Sequence, residues 1–200
     1  MKAISIVIGL LTAVTVGTGC GKKAEKTNPD TQDSVPKLTL TLDELTEKIE
    51  KEPNNALHYY QRGILHYDNG NQTMAIRDFS EAIRLKADFA EAYHDRGLCH
   101  FELDRPDSAM ADFNQAIALN EKFVEAYYNR AILYESLNLI EQAMNDYNRC
   151  IQVDPKFGPA YYNRGVHLFQ RDRKKACDDF KKAAELGDKD AENAYLQHCN

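Results

Sequence analysis

The pentapeptide AYYNR occupies residues 126–130 and recurs letter for letter at residues 160–164. Two related pentapeptides, HYYQR and AYHDR, occupy residues 58–62 and 92–96, so the four copies follow one another at intervals of 34 residues. A fixed interval of this length is typical of a chain built from copies of one supersecondary unit. The pentapeptide therefore indicates a repeat protein, and the remaining residues can be aligned on it.

The aligned repeats, numbered from position 1 at Ala56, Ala90, Val124 and Gly158, share small and aromatic positions. Position 4 is always Tyr, and position 8 is always Gly or Ala. Position 24 is always aromatic, although the fourth repeat is one residue shorter and its later positions fall one residue earlier. Positions 4, 8 and 11 share one helix face, and positions 20, 24 and 27 share another. Each repeat is thus predicted to be a pair of helices.

Turn residues separate the two predicted helices of the repeats: Asn69-Gly70-Asn71, Asp104-Arg105-Pro106 and Asn138. A helical hairpin of this kind cannot bury its own apolar face, so its neighbours must stack against it. The pattern resembles the tetratricopeptide repeat over residues 56–186, which implies an all-α, right-handed α-solenoid of four hairpins. The expected hairpins are residues 56–89, 90–123, 124–157 and 158–188.

Both ends of the repeat array carry signs of a capping helix. Leu42, Leu45 and Ile49 have helical spacing, and Thr41 with Glu44 forms a capping-box pattern. At the other end, the run that contains Ala191, Ala194 and Tyr195 is also spaced for a helix. The sequence therefore predicts an N-terminal capping helix at residues 41–52 and a C-terminal one at residues 189–200.

An Arg at position 7 recurs in every repeat, and an Asp follows it by 16 residues, or by 15 in the shorter fourth repeat. Because both members recur, the spacing favours structural ion pairs, formed within a hairpin or between neighbouring hairpins, over ligand binding. The predicted pairs are Arg62 with Asp78, Arg96 with Asp112, Arg130 with Asp146, and Arg164 with Asp179.

A second row of side chains, at positions 5, 9 and 12, lies on a different face of each first helix, and position 6 adds short polar groups beside it. In the tetratricopeptide family this row lines a concave groove that binds peptides, and short amides at position 6 bond the peptide backbone. The resemblance thus implies a partner-binding set: Tyr60, Gln61, Tyr67, His94, Asp95, Phe101, Tyr128, Asn129, Tyr162, Asn163 and Phe169. The alternative is that neighbouring first helices pack these residues against one another.

The charged residues on and beside this row restrict which protein segments the groove can bind. No Lys or Arg occurs at positions 2, 5, 9, 12 or 13, where some family members clamp a carboxylate, and acids such as Glu102 and Glu135 occur instead. The groove is expected to prefer neutral, aromatic or basic protein segments. With a formal net charge of −6 and no basic patch, the chain is not expected to bind nucleic acid.

The first twenty residues resemble a bacterial lipoprotein signal. Lys2 precedes an apolar run, and small residues precede Cys20, although Gly17 stands where the lipobox prefers a branched apolar residue. The resemblance implies a signal peptide at residues 1–19, lipidation of Cys20 and a flexible tether at residues 20–37. The alternative is a secretory signal that leaves a soluble periplasmic protein.

The remaining Cys and His residues do not predict chemistry. Cys99 and His100 are adjacent, so they point in different directions on a helix and do not suit one metal ion. No catalytic constellation, cofactor motif or metal motif is found, and a non-enzymatic role is expected. Cys177 and Cys199 remain as a candidate disulfide that would join the C-terminal cap to the last hairpin.

These features together predict a lipid-anchored adaptor of the bacterial cell envelope, membrane-bound through Cys20, which binds a segment of another protein in the groove. The alternative function is a self-associating structural module of the envelope that has no dedicated peptide ligand.

Overall fold

The computed structural model describes residues 40–199, and this range forms ten helices without a strand. The prediction of an all-α fold is confirmed. The predicted signal peptide, Cys20 and the tether lie outside the described residues. No helix in the described range is long and apolar enough to cross a bilayer. The helices are α1 (Leu42–Lys51), α2 (Ala56–Asp68), α3 (Gln72–Leu85), α4 (Ala90–Glu102), α5 (Pro106–Leu119), α6 (Val124–Ser136), α7 (Ile140–Val153), α8 (Gly158–Leu168), α9 (Arg173–Glu185) and α10 (Lys189–His198).

The helices pack in sequential pairs within two compact units, which divide between Ala87 and Asp88. In the first unit α2 pairs with α3, and α1 packs on α2. In the second unit three hairpins form, α4 with α5, α6 with α7, and α8 with α9. There α5 packs on α6, α7 packs on α8, and α10 packs on α9, so that consecutive hairpins stack and α10 closes the series.

The turns between paired helices use the residues that the sequence indicated. Gly70, Asp104 and Asn138 have φ values of 73°, 54° and 58°, a left-handed conformation that Gly, Asn and Asp adopt at least cost. Pro106 begins α5, where its missing N–H removes no helical hydrogen bond. The positions of the three predicted turns are therefore confirmed.

The two helices of a hairpin approach most closely where position 8 meets position 24. A Cβ atom added to Gly63 would lie 2.6 Å from the ring of Phe79, and one added to Gly97 would lie 2.8 Å from the ring of Phe113. Phe79 and Phe113 are fully buried. The absent side chain at position 8 thus makes room for the ring that fills each hairpin.

Both ends of the described range are held by specific contacts. Thr41 and Glu44 form the predicted capping box at the start of α1. In α10, Asp188 caps the N-terminus and Ala194 packs against the buried Phe180 of α9. The structure contains a disulfide between Cys177 of α9 and Cys199, which follows α10 directly.

The fourth repeat takes up its missing residue at the end of its first helix. α8 has 11 residues, whereas α2, α4 and α6 have 13 each. Phe169, which the alignment placed within the first helix, therefore lies just beyond α8 as its C-cap. There its ring contacts His198, with ring centroids 5.4 Å apart.

We predict that Gly97→Ala lowers the free energy of unfolding by about 1–3 kcal/mol, because the new methyl group would overlap the Phe113 ring. Gly158→Ala is the control, since its Cβ would meet Leu186 Cβ at an ordinary 3.4 Å. It should change the free energy by less than about 0.5 kcal/mol. Chemical denaturation of the full chain measures both, and equal effects would contradict this account of the close approach.

Candidate functional site

Each position 7 guanidinium pairs with the carboxylate of the second helix of its own hairpin. Nε and Nη2 donate to the two carboxylate oxygens at 2.7–2.9 Å in all four repeats. The Asp side chains are only 7–8% exposed, so little solvent competes with these bonds. This two-point geometry fixes the register of the paired helices. The structure thus brings together Arg62 with Asp78, Arg96 with Asp112, Arg130 with Asp146, and Arg164 with Asp179.

The guanidinium also lies over the ring of the position 4 Tyr, and its carbon is 5.5–5.8 Å from the ring centroid in each repeat. A cation at this distance is attracted to the negative face of the ring. Ala, the first Tyr and Arg of AYYNR therefore hold the hairpin together, and they leave the middle of the pentapeptide for another role.

The remaining guanidinium nitrogen, Nη1, connects consecutive helical elements. Arg130 Nη1 donates to Asn114 of α5 at 2.6 Å, and Arg164 Nη1 donates to Asn148 of α7 at 2.7 Å. In the first unit, Arg62 Nη1 donates to Thr46 of α1 at 3.2 Å. Sequence reasoning missed these acceptors, although a short polar residue 16 positions before each of these arginines was the available signal.

We call the inner row the side chains at positions 5, 6 and 12 of the second unit. Hydrogen bonds between residues 35 apart connect its members across successive first helices. All of its members except His94 are partly exposed. The inner row consists of His94, Asp95 and Phe101 from repeat 2, Tyr128, Asn129 and Glu135 from repeat 3, and Tyr162, Asn163 and Phe169 from repeat 4.

Four residues that the sequence placed in the partner-binding groove are buried instead. Tyr60, Gln61 and Tyr67 in the first unit, and His94 in the second, are 5–9% exposed. The reason is aromatic packing: the Tyr60 ring contacts that of Phe79, and the His94 ring contacts those of Phe113 and Phe123. These four side chains do not present a free surface.

The amide nitrogens at position 6 bond neighbouring side chains, whereas the resemblance implied that they bond a peptide backbone. The amide nitrogen of Asn129 bonds His94 Nε2 at 2.8 Å, and His94 Nδ1 bonds Asp95 at 2.8 Å. Asn163 Nδ2 donates to the hydroxyls of Tyr128 and Tyr147, both at 3.2 Å. The amide nitrogens thus join neighbouring helices, while neither Oδ1 accepts a bond from the described part of the chain.

A polar cluster that sequence reasoning did not assemble adjoins the inner row between repeats 3 and 4. Tyr147 of α7 donates its hydroxyl to Glu135 Oε1 at 2.8 Å, and His167 Nε2 of α8 pairs with the same oxygen. Through Tyr147 and Asn163 the cluster continues to Tyr128. We call Glu135, Tyr147 and His167 the Glu135 cluster.

Burial keeps the two tyrosine hydroxyls of this region protonated. It raises the pKa of Tyr128 to about 12. It also raises the pKa of Tyr147 far above its ordinary value, and the adjacent negative charge of Glu135 adds to the effect. Tyr147 therefore remains a hydrogen-bond donor to Glu135 throughout the physiological pH range.

The cysteines and histidines of the described range differ in their surroundings from metal ligands and reactive thiols. No group of three or more His, Cys, Asp or Glu side chains there is arranged to hold a metal ion. Cys99 and Cys150 are buried thiols, and burial raises the pKa of Cys150 to about 12, which suppresses the reactive thiolate.

Stacked helical hairpins of this kind define a class of protein, the α-helical repeat proteins. Comparison with known families identifies the type of repeat. Tetratricopeptide-repeat family models match residues 59–89, 90–123 and 124–157. Residues 59–157 therefore match tetratricopeptide repeats, and proteins built from these repeats are in general non-enzymatic interaction modules. No match indicates a catalytic family, and the comparison with curated proteins found no match.

Solved structures share the fold. A crystal structure of MamA is 29% identical, with a TM-score of 0.67, and the match covers 76% of this chain and 89% of MamA. YrrB, a TPR protein with an unusual peptide-binding site, is 21% identical, with a TM-score of 0.62 and coverage of 78% and 81%. The first TPR of Spaghetti (RPAP3), bound to the HSP90 peptide SRMEEVD, is 23% identical, with a TM-score of 0.55 and coverage of 57% and 94%.

We predict that Arg130→Met lowers the free energy of unfolding by about 3–5 kcal/mol, because it leaves the buried Asp146 carboxylate without its cation. Adding Asp146→Leu should restore part of the loss by removing the buried charge. Arg77→Met, at an exposed site on α3, is the control and should cost less than about 0.5 kcal/mol. Chemical denaturation compares the three variants, and a cost for Arg130→Met no larger than the control would refute the structural role.

Proposed function

We propose that this chain is a non-enzymatic adaptor that binds an extended segment of a partner protein along the inner row. The observation that carries this proposal is the continuity of the row. Side chains of α4, α6 and α8 touch one another in succession, through Asn129 to His94 and through Asn163 to Tyr128. A segment lying across these helices would meet aromatic, hydroxyl and amide groups in turn.

The chemistry of the row suits a polypeptide. Tyr162 and Phe169 offer partly exposed aromatic surface, the kind of surface that contributes most energy at protein interfaces. The Oδ1 atoms of Asn129 and Asn163 retain capacity to accept N–H groups from a partner backbone. The segment thus gains both apolar burial and directional hydrogen bonds.

Two structural neighbours support peptide binding as the use of this fold. YrrB has a peptide-binding site, and the Spaghetti repeat binds an HSP90 peptide rich in acidic residues. Positions 2, 5, 9, 12 and 13 of the repeats in the present chain carry acids and no Lys or Arg. An acidic peptide would therefore be repelled. We infer that the partner segment is neutral, aromatic or basic.

We further propose that the adaptor works in the bacterial cell envelope, anchored through lipid on Cys20. The sequence pattern before Cys20 motivates this proposal, and the Cys177–Cys199 disulfide suits an oxidising compartment outside the cytoplasm. The alternative remains a soluble periplasmic protein. The anchor would keep the inner row within reach of partners close to the membrane.

We predict that the chain expressed in a bacterial host incorporates an alkyne-labelled fatty acid and partitions with the membrane fraction. Cys20→Ser should abolish both the label and the partitioning, because it removes the thiol that carries the lipid. Cys99→Ser provides the matched control at a buried thiol. An unlabelled wild-type chain in the periplasmic fraction would support the soluble alternative.

We predict that Tyr162→Ala lowers affinity for peptides selected from an immobilised peptide array by roughly tenfold or more, because an aromatic contact is lost. Tyr161→Ala is the matched control, since Tyr161 lies under Arg164 and bonds Pro155 O, away from the inner row. It should lower the melting temperature without changing affinity. Equal affinity losses would contradict the assignment of the row.

Light scattering of the same samples tests the alternative function. A wild-type chain that binds no peptide but self-associates with rising concentration would replace the adaptor proposal with a structural module.

A further inference from the structure

Three departures from the repeat pattern meet at one place. At position 12, Glu135 stands where the other repeats have an aromatic residue; at position 24, Tyr147 stands where they have Phe; at position 10, His167 stands where they have Leu or Cys. These three residues belong to α6, α7 and α8, and they come together in the Glu135 cluster. If these three substitutions were neutral and independent, nothing would favour their being in contact with one another.

The other repeats show that the hairpin does not need these polar groups. Repeat 2 has Phe101 and Phe113 at positions 12 and 24, and it forms the same bidentate Arg96–Asp112 pair as every other hairpin. Placing a carboxylate and a phenol hydroxyl in a mostly buried setting costs desolvation, which an aromatic pair avoids. The fold alone therefore does not account for the cluster.

The carboxylate has unused binding capacity. Tyr147 and His167 both bond Oε1, and no donor within residues 40–199 bonds Oε2. A carboxylate can accept about four hydrogen bonds, so at least one direction stays open. The Glu135 side chain is 19% exposed and that of His167 is 23% exposed, which leaves the cluster accessible from the surface.

The surroundings favour a cation at this opening. Positions 2 and 13 of repeats 2 and 3 add Glu91, Glu102 and Glu125, and positions 2, 5, 9, 12 and 13 carry no Lys or Arg. Within residues 40–199, the basic side chain that pairs with Glu135 is His167, and it bonds Oε1 rather than Oε2. A partly desolvated carboxylate bonds a charged donor more strongly than a neutral one. The aliphatic stem of a Lys or Arg side chain would pack on the neighbouring ring of Tyr128, whose centroid lies 6.0 Å from that of Tyr147.

We propose that the Glu135 cluster is a subsite for one lysine or arginine side chain of the segment bound along the inner row. This inference rests on the proposed function and adds a specificity-determining residue to it. Glu135 Oε2 accepts from the ammonium or guanidinium group, while Tyr147 and His167 hold the carboxylate in position through Oε1.

The test uses hexapeptides with acetylated and amidated ends, in which each position in turn carries Lys, Arg or the uncharged isostere norleucine. Binding to the purified full chain is measured by fluorescence anisotropy. We expect Lys or Arg to be preferred at one position, and Glu135→Gln to weaken those peptides roughly tenfold, since a charge-assisted bond is lost. The norleucine peptides should bind both proteins with similar affinity.

Two further variants test whether a loss of the cation preference is due to the Glu135 cluster itself. Glu121→Gln removes the same charge from the exposed turn before α6, and it should retain the cation preference. The double variant Glu135→Phe, Tyr147→Phe copies repeat 2 and should melt at or above the wild-type temperature while losing the preference. This variant separates recognition from folding, should Glu135→Gln prove unstable.

The outcomes distinguish the subsite from the function on which it rests. A cation preference that survives in Glu135→Gln, or that is lost equally in Glu121→Gln, overturns the subsite. If norleucine peptides bind in a manner sensitive to Tyr162→Ala and no cation is preferred, the adaptor function stands and the subsite fails. If no peptide binds the wild-type chain, both proposals fail.

Discussion

The structure depends on the contact between an aromatic ring at position 24 and a residue with almost no side chain at position 8. Because Gly63, Gly97 and Gly165 have no Cβ, the rings of the second helices lie directly on the backbones of the first. That separation lets each position 7 guanidinium reach the carboxylate one residue before the ring. Packing at one point thus sets the geometry of the ion pair beside it, and the paired helices act as one rigid unit.

The first helix of each repeat in the second unit serves two purposes through adjacent residues. In AYYNR, the first Tyr and the Arg face the partner helix and the preceding hairpin, whereas Tyr128 and Asn129, or Tyr162 and Asn163, face the neighbouring first helices. The former set is the same in every repeat, whereas the latter set differs between repeats, with His94, Tyr128 and Tyr162 at position 5, and the same helical hairpin forms each time. The Glu135 cluster is formed by side chains that differ from those of the other repeats in this way.

The sequence was sufficient for features that depend on spacing within one repeat. Helix pairs, the turns at Gly70, Asp104 and Asn138, and the Arg–Asp distance of 16 residues all follow from local periodicity. The contacts between repeats were not predictable in this way, because they depend on how far one hairpin is rotated against the next. The contact of Asn129 with His94 and that of Glu135 with His167 are of this kind. Phe169 was misplaced because periodicity cannot show where a shortened repeat ends its helix.

The disulfide at the end of the chain bears on the lifetime of the protein. A helix such as α6 packs on both α5 and α7, whereas α10 makes its main contacts in the described range with α9, and a helix held mainly from one side opens more readily. The Cys177–Cys199 bond adds a covalent restraint between α9 and the residue that follows α10. The C-terminal end thereby resists proteases wherever the surroundings are oxidising, and it becomes a point of entry for degradation once a thiol reductant opens the bond.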